Sequence, residues 1–309
     1  MDAADAGSIG RTQARPAISV VVPCYNGGRF LGDLMASLDR QTFRDFEVVI
    51  IDDGSSDEQT LHKLAALEDK ARVIHQENRG LSAARNAGIR AARADLVMTL
   101  DCDDRLEPPY LEKTFALLRS ASPDVAAAFT HLRLYGAASG FMERHFNRFD
   151  LLFANPMPAG VLMRKACWQF AGGYDESMRE GYEDWEFYIR LMRMGYRALV
   201  IPKPYLVYNV SAGGMLFSQS SGRHAALWQG IRQKHAAAYR PLAILRAWWE
   251  SRDGTGTISL AKGLAAYALA LLLPEAWFTR LIVERRRRHL LEGRRAPYRP
   301  TPAKSKLAA

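Results

Sequence analysis

The stretch Leu96–Pro108, LVMTLDCDDRLEP, joins a short apolar run to three aspartates within four positions, Asp101, Asp103 and Asp104. A continuous apolar run of that length reads as a strand covered on both faces, the habit of parallel sheets. Like charges packed at a strand end repel one another unless a positive group offsets them. A metal ion is the partner this spacing points to. The fold turns on whether the same pattern, a buried strand followed by a polar loop, recurs along the chain.

It recurs three times upstream. ISVVVP (Ile18–Pro23), FEVVIID (Phe46–Asp52) and RVIHQ (Arg72–Gln76) read as strands, and helical periods follow at about Arg29–Asp39, Glu58–Leu67 and Ser82–Ala92. Phe30, Leu34 and Leu38 share one face of the first of these helices, and Leu61, Leu64 and Ala65 one face of the second. The fourth strand, Leu96–Leu100, leads to a helix opening at Pro108-Pro109, where a first-turn proline loses no helix bond. This alternation predicts an α/β fold with a Rossmann-like, doubly wound, mostly parallel sheet. Farther on, Asp124–Gly136 predicts one or two strands, and Ala159–Glu176 a strand, a short helix and a glycine turn. Glu183–Gly195 predicts a helix, and RALVIP and YLVYNV two more strands. No segment repeats.

Ligands of open parallel sheets bind beyond the carboxyl ends of the strands, where loops and helix N-termini converge. The segments after the four strands are CYNGG, DDGSSD, ENRGLSAARN and DCDD, and the opposite ends carry nothing comparable. One contiguous polar site is expected there. Neither a GxGxxG turn after a strand nor a GxxxxGK[ST] loop is present, which sets aside the dinucleotide and P-loop readings. Acids do not hold phosphate directly, but they hold Mg²⁺ or Mn²⁺, which takes few protein carboxylates and leaves positions for phosphate oxygens. The acidic strand ends therefore point to a metal-bridged diphosphate.

In order and spacing, VVPCYNGGRFLGDLMASLDRQTFRDFEVVIIDDGSSD, NRGLSAARNAGI, TLDCDD and GYEDWEFYIRL resemble the family 2 inverting glycosyltransferases of the GT-A fold. The resemblance spans about Ile18–Asn209. It implies that Pro23 and Tyr25 line a nucleoside pocket, that Asp53 accepts a hydrogen bond from a pyrimidine ring N–H, and that Asn78, Arg79 and Arg85 contact base or diphosphate. Asp101 and Asp103 match the family's DxD pair: Asp103 as ligand of Mn²⁺ or Mg²⁺, Asp101 toward the ribose hydroxyls or a metal-bound water. Asp184 matches the catalytic base, with Glu183 and Trp185 on the acceptor side. Inversion by a single displacement needs such a base, because the acceptor hydroxyl must lose its proton as it attacks. The dipole at a helix N-terminus is expected to keep Asp184 ionised.

Several of these residues also have structural readings. Asp52 reads as a turn cap, Asp57 as a helix N-cap, and Asp104 as a cap or a support for its neighbours. Arg79 and Arg85 read equally as solvated helix charges, Glu183 as a helix-start acid and Trp185 as a packing residue. The implied activity is metal-dependent transfer of a sugar from a nucleotide-diphosphate donor, with a UDP-sugar as the first candidate, to a saccharide or lipid-linked saccharide, as in cell-surface polysaccharide synthesis. The alternative is a non-catalytic nucleotide-sugar-binding or scaffold protein of the same fold, against which the presence of Asp101, Asp103 and Asp184 argues.

The charge balance sharpens the partner class. The chain of 309 residues carries +9, and Arg280–Ala309 alone holds ten Lys or Arg against two Glu. That is a basic tail on a nearly neutral fold, with little aromatic interleaving, so no nucleic-acid interface is expected. Cys24, Cys102 and Cys167 form no CxxC pair and no even framework, which favours a reducing, cytoplasmic setting. Residues 1–16 are expected as a disordered arm rather than a secretory signal, 17–212 as the transferase domain, 213–290 as a helical extension and 291–309 as a basic disordered tail. GLAAYALALLLP (Gly263–Pro274) falls short of the roughly 20 apolar residues of a membrane span. The extension, with AWWE, EAWF and Arg285–Arg288, fits two arrangements. It lies in the interface of an anionic membrane at the inner face, or it packs on the core or in a dimer. The loop YLVYNVSAGGMLFS lacks a His and a basic residue that many relatives place near the diphosphate, and Gly213 and Gly214 predict a loop able to close over the donor.

Overall fold

The structure is a computed structural model that describes residues 15–211, 222–252 and 255–292. Its first seven elements are β1 (Ile18–Cys24), α1 (Gly28–Asp39), β2 (Phe46–Asp53), α2 (Glu58–Ala65), β3 (Arg72–Gln76), α3 (Leu81–Ala91) and β4 (Leu96–Thr99). β1 is buried along its whole length. Its β-branched residues suit an extended backbone covered on both faces, which puts it in the middle of the sheet. It pairs in parallel with β2 on one side and β4 on the other, and β3 adds outside β2. α2 starts at Asp57, whose Oδ1 accepts from the Thr60 N–H at 2.8 Å, as the N-cap reading expected.

Beyond β4 come β5 (Arg105–Leu106), α4 (Tyr110–Ser120), β6 (Val125–Gly136), β7 (Gly140–Met142), β8 (Leu162–Arg164), α5 (Lys165–Phe170), α6 (Glu183–Arg193) and β9 (Arg197–Val210). The sheet order is β3-β2-β1-β4-β8-β6-β9-β5, with β7 beside β6. β8 runs antiparallel to β4, so the sheet is parallel over its first four strands and mixed after them. RALVIP and YLVYNV fuse into the single strand β9. The pairing of β9 with β6 slips between Ile201 and Leu206, a bulge that accommodates Pro202 and Pro204, which have no N–H for the ladder. Thr130 Oγ1 accepts from the Leu206 N–H at 3.1 Å where the regular ladder resumes.

Four helices complete the described chain: α7 (His224–Lys234), α8 (Pro241–Glu250), α9 (Leu260–Leu272) and α10 (Glu275–Glu292). Trp228, Ile244 and Phe278 from them join one core cluster with Phe149, Phe153 and Trp185. No described helix is long and apolar enough to cross a membrane. Gly213, Gly214, the first fourteen residues and residues 293–309 lie outside the described residues.

The strand order places β1 between β2 and β4, so successive connections leave β1 in opposite directions along the sheet. A crevice opens at such a switch point, between the carboxyl ends of β1 and β4. Gly27 lets the two loops approach there: a Cβ on it would stand 2.6 Å from Cys102 Sγ and 3.3 Å from Cys24 Sγ. Cys24 and Cys102, separate in sequence, are thus brought close to each other, both as free thiols.

Candidate active site

The loop after β1 carries Tyr25, which is 54% exposed. Asn26, with φ at +50°, turns back on the loop after β2: its Oδ1 accepts from Ser56 N at 2.9 Å and Asp57 N at 3.2 Å. Pro23 is buried inside β1 and supports the strand end from which Tyr25 projects. At the end of β2, Asp52 Oδ1 accepts from Ser55 N at 3.0 Å and Oδ2 faces His75 Nδ1 at 2.8 Å. Asp53 accepts from Gln76 Nε2 (2.7 Å), Arg79 N (2.9 Å) and Gly80 N (2.8 Å). A carboxylate has about four acceptor positions, so Asp53 is nearly satisfied by its own fold. Asn78 is exposed, and Gly54, at φ +75°, allows its backbone to come close. Arg79 reaches outward to Glu176 at 2.8 Å.

Arg85 is not a surface charge. It is 1% exposed, and Nη2 meets Asp101 Oδ1 at 2.7 Å while Nη1 meets Glu183 Oε1 at 2.5 Å. Burial alone would discourage its charge, but Asp101 and Glu183 outweigh burial and hold its pKa well above the usual guanidinium value. The side chain thus braces the β4 loop to α6 rather than standing as a solvated helix charge. Its Nε is buried without a partner among the described residues.

Around that guanidinium the acids outnumber the cations. Burial, then Asp101, pushes the Asp103 carboxyl up, against a bond from Asn209 Nδ2 at 3.1 Å. Asp104 is fully enclosed, and burial followed by Asp101 and Asp103 pushes it well up. Its Oδ1 accepts from Asn209 N at 2.9 Å, which makes it the support that ties β9 to the β4 loop. All the donors here are hard carboxylate oxygens, the chemistry of Mg²⁺ and Mn²⁺ sites that leave coordination positions to substrate. Among the described residues no three His, Cys, Asp or Glu side chains close a cage by themselves. The set fits an ion held by one or two aspartates and completed by phosphate oxygens.

α6 brings the remaining acids in. Its N-cap, Tyr182, has φ at +65°; it and Asn26 are the only non-glycine residues at positive φ among the described residues. Such backbone settings persist where surrounding structure enforces them, often at functional sites. Asp184 Oδ2 accepts from Asn155 Nδ2 at 3.0 Å, and Oδ1 from Trp185 N at 2.6 Å. Burial, and next Glu183, raise the Asp184 pKa to about 7. The helix dipole was expected to keep this group ionised, and here desolvation and a neighbouring acid overrule it. A carboxyl titrating near neutrality is well matched to taking up a proton.

Of the two readings each carried in the sequence, Trp185 and Glu183 are both placed by the fold as buried residues. Trp185 is 1% exposed, donates from Nε1 to Leu151 O at 2.7 Å and packs against Tyr182, so it forms no open wall for a sugar. Glu183 is buried against Arg85. Asn155 and Asn209 carry no signal in the sequence, because neither lies in a strand-end motif of the first half. Only the fold brings them to Asp184 and Asp103.

Residues 19–200 match the family described as glycosyl transferase family 2. EpsH of Bacillus subtilis (strain 168) is 39% identical over 111 residues, 35% of this chain and 31% of that protein. Chondroitin synthase of Escherichia coli is 28% identical over 187 residues, 58% of this chain and 27% of that protein. The chain thus spans about a third or less of the length of these two relatives. Among solved structures, S. aureus TarS 1-349 in complex with UDP-GlcNAc superposes with a TM-score of 0.60 at 19% identity, covering 82% of this chain and 81% of that one.

Proposed function

This chain belongs to glycosyl transferase family 2 and has the GT-A fold, and we propose that it transfers a sugar, with inversion, from a nucleoside-diphosphate donor to a hydroxyl of a saccharide or lipid-linked saccharide. The observation that carries this reading is the surplus of carboxylates gathered around the buried guanidinium of Arg85 at the carboxyl ends of β1 and β4. Asp103 and Asp101 hold a divalent ion, Mn²⁺ or Mg²⁺, in this proposal. When bound, that ion supplies Lewis-acid stabilisation of the charge that develops on the departing nucleoside diphosphate.

The chain's own residues do the rest. Tyr25, exposed at the end of β1, offers a flat face to the base. Asn78, on the exposed β3–α3 turn, contacts the donor, and the acceptor position left on Asp53 reads the base edge. Asp184 takes the acceptor proton, held in place by Asn155. A UDP-sugar is the first candidate donor, supported by the UDP-GlcNAc bound to TarS. Assembly of a polysaccharide is supported by the likeness to chondroitin synthase.

A thermal-shift panel of UDP-, GDP- and dTDP-sugars, with and without Mn²⁺, tests the reading, because a ligand bound to the native state raises Tm by mass action. The expected result is a shift from the UDP-sugar that requires Mn²⁺ and is lost in Asp103→Asn. A GDP- or dTDP-sugar shifting instead replaces the base assignment. No metal-dependent shift from any donor overturns the proposal.

A further inference from the structure

We propose that α8, α9 and α10 form a docking surface that lies on an anionic phospholipid bilayer without crossing it. The sequence left two arrangements open for this segment, core packing or a membrane interface. The structure shows one face of each helix packed and the opposite face uncovered, with large apolar side chains interspersed among ion pairs such as Arg246–Glu250 and Arg280–Glu284.

On α8, Ile244, Ala247 and Trp248 turn to the core, while Leu242, Leu245 and Trp249, spaced i, i+3 and i+7, turn out. On α9, Leu260, Tyr267 and Ala270 pack inward with Gly263, whose missing side chain admits Phe149 and Phe153. Its other side exposes Leu264, Leu271 and Leu272. On α10, Phe278 and Ile282 pack in, and Trp277 and Leu281 face out. Nine of the fourteen large hydrophobic side chains exposed among the described residues fall in these three helices, so the surface is concentrated there rather than scattered. Leu242 is 81%, Leu272 79% and Trp277 71% exposed. Isolated exposed leucines need no explanation, but a concentration on this scale marks an interaction surface.

Charge selects the occupant. Residues 240–309 hold fourteen Lys or Arg against five Asp or Glu, which accounts for the entire +9; the first 239 residues are neutral, with 28 of each sign. The basic run Arg285–Arg288 lies about one turn beyond Leu281 along the backbone of α10. The Arg252 guanidinium lies over the Trp249 ring, 3.3 Å from its centroid, so a cation already borders the apolar face of α8. Uncovered apolar and tryptophan side chains, with positive charge concentrated on the same segment, match the headgroup boundary of an anionic bilayer. A second copy of the chain would carry the same positive excess and be repelled by it. An acceptor carried on a lipid would then be presented near the transferase domain, although the docking itself does not depend on which reaction the chain performs.

Flotation of the full chain with vesicles tests this. Phosphatidylcholine vesicles with about 30% phosphatidylglycerol are expected to carry the protein up the gradient, and pure phosphatidylcholine vesicles much less of it. Salt near 1 M, where the Debye length falls to about 3 Å, is expected to weaken binding without abolishing it. Leu272→Glu/Trp277→Glu, and separately Leu242→Glu/Trp249→Glu, are expected to lower the bound-to-free ratio by more than about tenfold. Both pairs lie on the surface, so the circular dichroism spectrum and Tm should stay those of the wild type. The proposal is overturned by absent flotation on anionic vesicles, or by unchanged flotation of both variants. It is overturned equally by sedimentation showing a vesicle-indifferent dimer that either variant splits.

Discussion

The aspartates at the end of β2 and those at the end of β4 occupy equivalent places on either side of β1, yet their surroundings oppose each other. Asp52 and Asp53 meet His75, Gln76 and the backbone N–H groups of Ser55, Arg79 and Gly80. Asp101 pairs with Arg85, Asp103 and Asp104 both accept from Asn209, and Asp103 and Asp104 are pushed toward the protonated form. The difference lies in the turn that each strand end meets in space. The turn after β3 delivers donors to the first pair, whereas the β4 turn delivers more acid. A carboxylate whose lone pairs are filled by its own chain holds a loop, and one left in surplus is free to hold a cation.

Substitutions at four residues break or sharpen that contrast. Asp184→Asn removes the proposed base and should lower kcat by about 10²–10⁴-fold, while wild-type kcat/KM should climb with pH through an apparent pKa of about 7. The same variant has a stability signature. Asp184 titrates near 7 in the fold and near 4 when unfolded, so between those values the native state binds more protons and stability falls as pH rises. Asn removes the penalty, so its stability advantage should be absent at about pH 4 and complete above about pH 8, at most about 4 kcal/mol. An advantage that shrinks with pH would refute the buried-acid account.

Arg85→Ala should destabilise the fold by about 3–5 kcal/mol in urea titrations, because it strands Asp101 and Glu183 without their cation. Arg85→Lys should recover part of the loss. Were Arg85 a donor contact instead, Ala would raise KM and leave the unfolding midpoint alone. Asp103→Asn should lower turnover by about 10²–10³-fold and leave the residual rate indifferent to EDTA. The smallest effect belongs to the satisfied side of the comparison. Asp53→Asn should cost about 1–3 kcal/mol of stability through the loosened β3–α3 turn, visible as faster amide exchange at Arg79 and Gly80.

Much of this is legible in the sequence. The strands β1 to β4 and the helices between them come from apolar runs and 3.6-residue periods, and their bounds in the fold differ from the sequence reading by a few residues at most. Asp57 as an N-cap is local chemistry and holds. The reversed β8 is not legible, since a strand's direction in the sheet depends on where the chain returns. Nor is the fusion of RALVIP and YLVYNV into β9, because prolines that end most strands are tolerated here by a bulge against β6. In the site, Asp101, Asp103 and Asp184 stand out by motif, while Asn155 and Asn209 give no signal.

The sequence by itself determined the alternation of strands and helices and the polar character of the strand ends, because side-chain period and turn chemistry act over a few residues. Tertiary structure decided what each polar group does. Arg85 finds Glu183 across 98 positions and Asp53 finds Gly80 across 27, so one arginine became a brace and one aspartate a loop anchor. Asp184 acquired a pKa of about 7 from burial and Glu183, where its place on the helix alone argued for a low one. Ionisation and hydrogen-bond satisfaction are set by the dielectric and by partners in space, and neither is written in the spacing of residues along the chain.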